Sequence, residues 1–311
     1  MTTDNSTFLP RVEKMAMLAC AFAGVMWGLF WIPLRAAEAD GIHGVWAALM
    51  FYVIPAPLVI PLLIWRWKQF TAGGWRLHLL GFLTAGSLVL YSNSMLYTEV
   101  IRAMLLYYVT PVWSTILGRL LLGEAITPTR VFAMCLGIFG MLVIFGIDVG
   151  IPLPRNIGDW MGLAAGIVWA MAATSLRWDP SHHPLDLMTS YFIWSTLIAL
   201  VMVALPIASS PPPLSVFIDA LPWMVPAIML IVIPATVAIM WGVPYLNPGI
   251  VGLLFMTEIS VGAITVAIWA GEPFGIREIV GVVLISSAGL AEVISAPMMN
   301  LGRKLRQKAS A

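Results

Sequence analysis

The chain has 311 residues, of which 60% are hydrophobic and 10% are charged, and its mean hydropathy is +0.94. Soluble domains are about 25% charged, so this composition excludes a water-soluble enzyme and a disordered protein. The formal net charge of +1 leaves no basic surface for phosphate backbones, which excludes a nucleic-acid binder. The expected partners are therefore the lipid bilayer and a small-molecule substrate. The sequence does not indicate an oligomeric state.

A helix that crosses a bilayer needs about 20 consecutive apolar residues. Ten stretches meet this requirement, at 15–37, 44–65, 77–98, 101–122, 128–147, 158–177, 185–207, 216–240, 246–270 and 276–297. The first is interpreted as a span and not as a cleaved signal peptide, because it is long and nine further spans follow it. The predicted fold class is an all-α membrane protein with ten transmembrane helices.

Lysine and arginine are distributed unevenly between the two predicted faces of the membrane. One face carries twelve of them, at positions 11, 14, 66, 68, 76, 119, 130, 177, 303, 304, 306 and 308, and the other carries four, at 35, 102, 155 and 277. Because cytoplasmic loops are enriched in these residues, both termini are predicted to be cytoplasmic. An even number of spans independently requires the termini to share a face.

The two halves of the chain carry similar short motifs in the same order. Spans 1 and 6 each place a tryptophan three residues after a glycine, in the pairs Gly24–Trp27 and Gly166–Trp169. A Gly-Glu pair closes one span in each half, at 123–124 and, 148 residues later, at 271–272. The sequence therefore predicts an internal repeat.

The repeat divides the chain into residues 1–148, with helices 1–5, and residues 149–311, with helices 6–10 and a basic cytoplasmic tail. Five spans per half is an odd number, so the second unit is predicted to be inverted relative to the first. Inverted repeats place a substrate site near the bilayer midplane, between the halves. A central cavity is expected there.

Polar side chains are concentrated in spans 3 and 4, at a depth where an unpaired polar group costs several kcal/mol. Positions 87, 91, 94 and 98 share one face of span 3, which indicates that this face borders a cavity. The alternative is hydrogen bonding between helices without a ligand. The candidates for hydrogen bonds to a substrate are Tyr91, Asn93, Ser94, Tyr107 and Thr110.

Glu258 lies near the centre of span 9, where a carboxylate indicates a functional site. Three roles are open from the sequence: it binds a substrate ammonium, it carries a proton, or it forms a structural hydrogen bond to a neighbouring helix. Glu258 is included among the predicted substrate-binding residues.

Three tryptophans, Trp27, Trp113 and Trp169, lie deeper than those near span ends. Their rings are candidates for stacking on a flat ligand, although ordinary packing between helices is the alternative. Three prolines are candidate hinges, because proline removes a helical hydrogen bond: Pro111 in span 4, and Pro226 and Pro234 in span 8.

No motif for hydrolysis, phosphate binding or metal ligation is present in the sequence, and all four histidines lie in loops or near span ends. The sequence therefore predicts no catalytic residue, metal or cofactor, and the chain is not expected to be an enzyme.

The order of these motifs resembles the drug/metabolite transporter superfamily, in its EamA-type branch. The resemblance is carried by Trp27-Gly28 with Arg35, by the segment from Tyr107 to Glu124 with its closing Gly-Glu, and by the second Gly-Glu at 271–272. It implies a basket of ten helices around a central cavity. Within the superfamily, the segment from Tyr91 to Trp113 is most similar to bacterial exporters of aromatic amino acids. In span 9, Glu258-Ile259 stands where the family commonly has proline, which argues against a kink matching that of span 4.

The resemblance implies a bacterial inner-membrane exporter of small amino-acid-like metabolites, aromatic amino acids in particular, which works by alternating access. The first alternative is a multidrug exporter of lipophilic cations driven by proton antiport. Two other classes, a non-transporting membrane receptor and an intramembrane enzyme, receive little support from the residues.

Overall fold

The computed structural model describes residues 5–98, 100–145, 153–205, 210–269 and 274–291, and these ranges contain helices and no strand. Seven helical stretches are long and apolar enough to cross a bilayer: Arg11–Ala39, Val45–Trp65, Arg102–Leu122, Ile157–Trp178, Pro184–Ala204, Leu214–Tyr245 and Pro248–Trp269. The apolar helix at Pro128–Ile144 is shorter. The predicted stretches at 77–98, 128–147 and 276–297 have no counterpart among the seven, so the count of ten spans stays a prediction.

The described helices of the first half are α1 (Asn5–Gly28), α2 (Trp31–Ala39), α3 (Val45–Val53), α4 (Ala56–Trp65), α5 (Trp67–Ala72), α6 (Gly74–Tyr97), α7 (Val100–Tyr107), α8 (Thr110–Leu122) and α9 (Pro128–Phe145). Those of the second half are α10 (Ile157–Trp178), α11 (Pro184–Ala204), α12 (Leu214–Ala227), a π-helix (Ile228–Val232), α13 (Ile233–Gly242), a 3₁₀ turn (Val243–Tyr245), α14 (Pro248–Phe255), α15 (Thr257–Trp269) and α16 (276–291).

Several predicted spans consist of two helices separated by a short break. Span 1 is broken at 29–30, span 4 at 108–109 and span 9 at Met256. Span 9 is thus broken at Met256, although Glu258-Ile259 stands where the family commonly has proline.

A threonine and a glycine meet at the break at Met256. The Thr257 hydroxyl donates a hydrogen bond to the Leu254 carbonyl over 2.7 Å. Gly24 of α1 lies directly against Thr257, where a side chain would clash with the hydroxyl. A second helix thus packs closely against this break.

The break in span 4 has the same construction. The Thr110 hydroxyl donates to the Tyr107 carbonyl, and Gly166 of α10 packs against both residues. A β-carbon added at Gly166 would lie 2.7 Å from the Tyr107 oxygen. A glycine from the first helix of each half therefore contacts the break in a later helix.

A buried ion pair fixes the start of α10. Asp159 is fully buried and its carboxylate lies 2.5 Å from Nη2 of Arg102. It also accepts hydrogen bonds from the Thr98 hydroxyl, at 2.6 Å, and from the backbone N–H of Arg155, at 2.9 Å. Asn156 caps the helix by accepting from the Asp159 N–H at 2.8 Å. This network ties α10 to the ends of α6 and α7.

Candidate functional site

A cavity of about 70 Å³ lies between the α1–α2 break, α6, α7 and α15. Its polar and aromatic lining comes from Trp27, Phe30, Trp31, Tyr91, Ser92 and Glu258. The remaining lining is mainly apolar and includes Leu34, Met95 and Met104. Among the described residues that line it, Glu258 is the one carboxylate, and none is lysine, arginine or histidine.

Glu258 occupies the first turn of α15, two residues after the break at Met256. The free backbone N–H groups at the start of a helix favour a negative charge in this position. The hydroxyl of Tyr91 donates a hydrogen bond to Glu258 Oε1 over 3.3 Å. Glu258 thus lines the cavity, and its carboxylate is hydrogen-bonded to Tyr91 of α6.

Three tyrosines form a cluster behind the carboxylate. The rings of Tyr91 and Tyr107 are stacked, with centroids 4.1 Å apart and an angle of 24° between their planes. Tyr108 meets Tyr107 edge to face at 5.1 Å. Its hydroxyl interacts electrostatically with Glu258 but lies outside hydrogen-bonding geometry. The cluster holds the orientation of Tyr91, because two rings constrain the ring whose hydroxyl contacts Glu258.

Trp27 lines the cavity at the end of α1 and packs edge to face on Phe30, with centroids 5.2 Å apart. Its indole N–H is buried and has no hydrogen-bond partner in the structure. Trp31 differs, because its indole N–H donates to the Thr265 hydroxyl over 2.9 Å. A buried donor without a partner is costly, and Trp27 is the tryptophan of this wall whose N–H has no partner among the described residues.

The structure brings three of the predicted substrate-binding residues, Trp27, Tyr91 and Glu258, to the cavity wall, and places Tyr107 directly behind Tyr91. The other five lie outside the lining. Asn93 and Ser94 donate to backbone carbonyls of their own helix, at 2.7 and 3.0 Å.

Thr110 donates to the Tyr107 carbonyl beside Gly166, and its hydroxyl is used by the break in span 4. Trp169 is 1% exposed and packs on Phe255, with centroids 5.3 Å apart. The indole N–H of Trp113 is buried without a partner. These residues do not line the cavity, so the helices that carry them must move before their side chains can contact a substrate there.

Sequence reasoning missed part of the first wall. Phe30, Trp31 and Leu34 follow Trp27 at intervals of three, four and seven residues, the spacing of one helical face. That spacing extends the wall from Trp27 and was readable from the sequence.

The candidate hinges lie at irregular points of the helices. Pro111 is in the first turn of α8, directly after the break at 108–109. Pro226 and Pro234 flank the π-helix Ile228–Val232 on either side. π-Helical turns are rare and frequent near functional sites. The placement is compatible with bending at these points and does not test it.

No group of three or more metal-ligating side chains occurs in the described ranges. The residues that line the site supply a carboxylate, indole groups, the hydroxyls of Tyr91 and Ser92, and aromatic faces. This chemistry suits an organic molecule with an ammonium group and an aromatic ring.

Known proteins resemble this chain in sequence and in fold. Residues 14–146 match the EamA-like transporter family. The chain is 21% identical over 194 residues to a Bacillus subtilis (strain 168) protein named "Uncharacterized transporter YoaV". That match covers 60% of this chain and 64% of the relative, and so spans less than two-thirds of the relative's length. A solved crystal structure matches with a TM-score of 0.71 over 91% of this chain and 98% of its own, at 15% identity, which shows a shared fold.

Proposed function

We propose that this chain is an EamA-like member of the drug/metabolite transporter superfamily. In this proposal it exports small amino-acid-like metabolites, aromatic amino acids first, across the bacterial inner membrane, with both termini in the cytoplasm. The match of residues 14–146 to the EamA-like transporter family and the seven membrane-compatible helical stretches support a multi-pass transporter. The choice of substrate rests on the cavity.

One observation supports this class of substrate. The same aromatic cavity is lined by a carboxylate and by a tryptophan whose N–H has no hydrogen-bond partner. The substrate ammonium binds Glu258, and its carboxylate accepts a hydrogen bond from the Trp27 indole. The substrate ring lies among Trp27, Phe30 and Trp31. Trp113 and Trp169 are proposed to stack, and Asn93, Ser94, Tyr107 and Thr110 to form hydrogen bonds, in another state of the transport cycle.

The size of the cavity supports a cycle with more than one state. Small-molecule sites usually measure about 300–1,000 Å³, whereas this cavity measures about 70 Å³. An aromatic amino acid therefore enters only after the walls separate. The broken helices that form these walls are the elements that can move, since a break interrupts the backbone hydrogen bonding that stiffens a helix.

Similar helix breaks support an internal repeat. Spans 4 and 9 are each interrupted once, at 108–109 and at Met256. In each case the second helix starts with threonine and is contacted by a glycine of the other half. We propose that rocking of the two units about the cavity gives alternating access.

A second candidate function is proton-coupled export of lipophilic cations. It is favoured by the lining, which holds a carboxylate and no basic side chain among its described residues. The substrates of the two candidate functions differ in one group. An amino acid has a carboxylate that can accept a hydrogen bond from the Trp27 indole, and an amine has none. A pair of substrates that differ only in this group therefore separates them.

The test uses liposomes that contain the purified protein and two labelled substrates, phenylalanine and its decarboxylated analogue phenethylamine. We expect variants of the cavity to change the uptake of the two substrates to different extents. Trp27→Phe keeps an aromatic ring, although a smaller one, and removes the indole N–H, so it should lower phenylalanine flux about tenfold and change phenethylamine flux less than twofold. Glu258→Gln should lower the flux of both at least tenfold, because it removes the charge that binds the ammonium. Initial rates of uptake are the measurement.

Trp65→Phe is the matched control, because Trp65 is 74% exposed and lies outside the cavity. It should leave both fluxes unchanged. Wild-type flux of phenethylamine without flux of phenylalanine would overturn the amino-acid assignment in favour of lipophilic cations. The absence of flux of either substrate, with and without a pH gradient, would overturn both.

A further inference from the structure

A second, larger groove lies away from the cavity, where α6 begins and α10 ends. It has a volume of about 280 Å³, and its walls are Trp75, Arg76, Leu79, Ser175, Trp178 and Asp179. The two helix ends carry Arg76 and Arg177, which belong to the basic residues of the face that the sequence predicts to be cytoplasmic. The groove is therefore at the level where a span meets lipid headgroups.

Two tryptophans border this groove, and each is 70% exposed. Exposed indoles at span ends are typical of the membrane interface, where the ring contacts acyl chains and the N–H reaches water or headgroups. Leu79, 40% exposed, continues the apolar wall one helical turn beyond Trp75 in the direction of the membrane. This wall fits an acyl chain better than a soluble molecule.

The groove also contains two opposite charges that do not satisfy each other. Nη1 of Arg76 lies 3.7 Å from Oδ2 of Asp179, which is longer than a hydrogen bond, and the Arg76 side chain is 67% exposed. By contrast, Arg66 donates two hydrogen bonds to Asp186, at 2.7 and 2.8 Å, and its side chain is 16% exposed. Asp179 Oδ1 accepts hydrogen bonds from the backbone N–H and the hydroxyl of Ser181, and Asp179 Oδ2 lies 3.5 Å from Nε2 of His182. The groups open to a ligand are therefore the Arg76 guanidinium and Asp179 Oδ2, whereas Arg66 and Asp186 are bound to each other.

Both groups carry their charge at neutral pH. The hydrogen bond from the Ser181 hydroxyl lowers the pKa of the Asp179 carboxyl below its usual value, and burial opposes this only in part. A guanidinium remains protonated at any physiological pH. A ligand with an anionic and a cationic group close together therefore matches the groove, and one with a single charge meets repulsion from Asp179 or Arg76.

We propose that this groove binds a phospholipid with a phosphoethanolamine headgroup. Its phosphate pairs with Arg76, its ammonium donates hydrogen bonds to Asp179, and one acyl chain lies along Leu79 between the two indoles. Phosphoglycerol has no ammonium for Asp179, and phosphocholine has no N–H to donate. The site is separate from the proposed transport cavity and does not depend on what is transported.

Native mass spectrometry of the detergent-purified full chain, titrated with lipids of one acyl composition, tests the proposal. We expect phosphatidylethanolamine to bind with an apparent Kd about tenfold lower than that of phosphatidylglycerol or phosphatidylcholine. Asp179→Asn should remove the preference over phosphatidylcholine, and Arg76→Gln should weaken phosphatidylethanolamine binding about tenfold. The control is Lys68→Gln, because Lys68 is exposed near the same face but outside the groove, and it should change nothing.

Equal binding of the three lipids by the wild type would overturn the proposal without any variant. Tighter binding of phosphatidylglycerol would replace it with a site for anionic lipid. Equally strong binding of soluble phosphoethanolamine would show that the ligand is not a lipid. Retention of the full preference in both groove variants would place the lipid elsewhere on the protein.

Discussion

Asp159 is the carboxylate on which the start of α10 depends. It is fully buried, it lies 2.5 Å from the Arg102 guanidinium, and two further donors complete its coordination. Removing one partner of such a pair leaves an uncompensated buried charge, which costs more than the pair contributes. The residue therefore has a structural role that differs from the role proposed for Glu258.

We expect Asp159→Asn to destabilise the protein by about 3 kcal/mol, because Arg102 then loses its buried counter-charge. The measurement is the Tm of the purified variant in detergent, by scanning fluorimetry. Asp219→Asn is the control, because Asp219 is exposed in the first half of α12, and its Tm should stay within the error of the wild type. An unchanged Tm for Asp159→Asn would contradict this account of α10.

Sequence reasoning identified Glu258, Tyr91 and Trp27 because each is unusual for its depth in an apolar chain. The structure then assembles them around one cavity. The sequence could not predict that the side chains of Asn93 and Ser94 donate hydrogen bonds within their own helix, to the carbonyls of Val89 and Tyr91. Such local bonds compete with any ligand for short polar side chains, and the choice depends on the neighbouring helices.

At the scale of the helices, the positions of apolar runs predicted where helices lie, and the structure has helix within each predicted stretch. The breaks within the helices were harder to predict from the sequence. Proline predicted the one before Pro111, but at the break at Met256 the contacts are a threonine hydroxyl and a glycine more than 200 residues away in sequence. A contact of that range leaves no local pattern.

We expect Gly166→Ala to disrupt the break in span 4, because the new β-carbon would lie 2.7 Å from the Tyr107 oxygen and 2.9 Å from the Thr110 hydroxyl. Overpacking of this kind costs about 1–3 kcal/mol. A lower Tm together with reduced substrate flux in liposomes would be the expected result.

Gly86→Ala is the matched control for Gly166→Ala. It also adds a methyl group to a glycine inside a helix, but its nearest neighbours, on Ile198 and Val168, would be 3.9 and 4.0 Å away. Alanine is the better helix former, so the stability of this variant should equal or exceed that of the wild type. Equal losses in the two variants would show that the break has no special requirement for glycine.

For the whole molecule, the uneven distribution of lysine and arginine predicts which face is cytoplasmic. Glu38 and Lys68 are both exposed, and the helices α3 and α4 of one span separate them. They are therefore suitable for labelling from opposite sides of the membrane. The background protein should lack Cys135, which is exposed, and Cys20, which is buried.

We expect Glu38→Cys to react with a membrane-impermeant maleimide in intact spheroplasts, and Lys68→Cys to react only after permeabilisation, because Lys68 lies on the basic face. Labelling detected on a gel is the measurement, and the background protein without cysteine is the control. The reverse pattern would show that the orientation is inverted.

The lone carboxylate of the cavity also has an electrical consequence. When Glu258 is ionised and no substrate is bound, the empty carrier holds a negative charge that no basic residue of the described lining balances. A bound amine cancels this charge, whereas a zwitterionic amino acid brings an ammonium and a carboxylate together and leaves the net charge of the carrier unchanged. The resting voltage across the membrane, negative inside, then favours the empty carrier with its site turned outward, by at most about 2.3 kcal/mol per 100 mV if the charge crossed the whole field. The voltage therefore slows the return of the empty carrier to the cytoplasmic side. For an amine this return is the one step that moves the charge, whereas for an amino acid the outward step of the loaded carrier moves the same charge and is favoured.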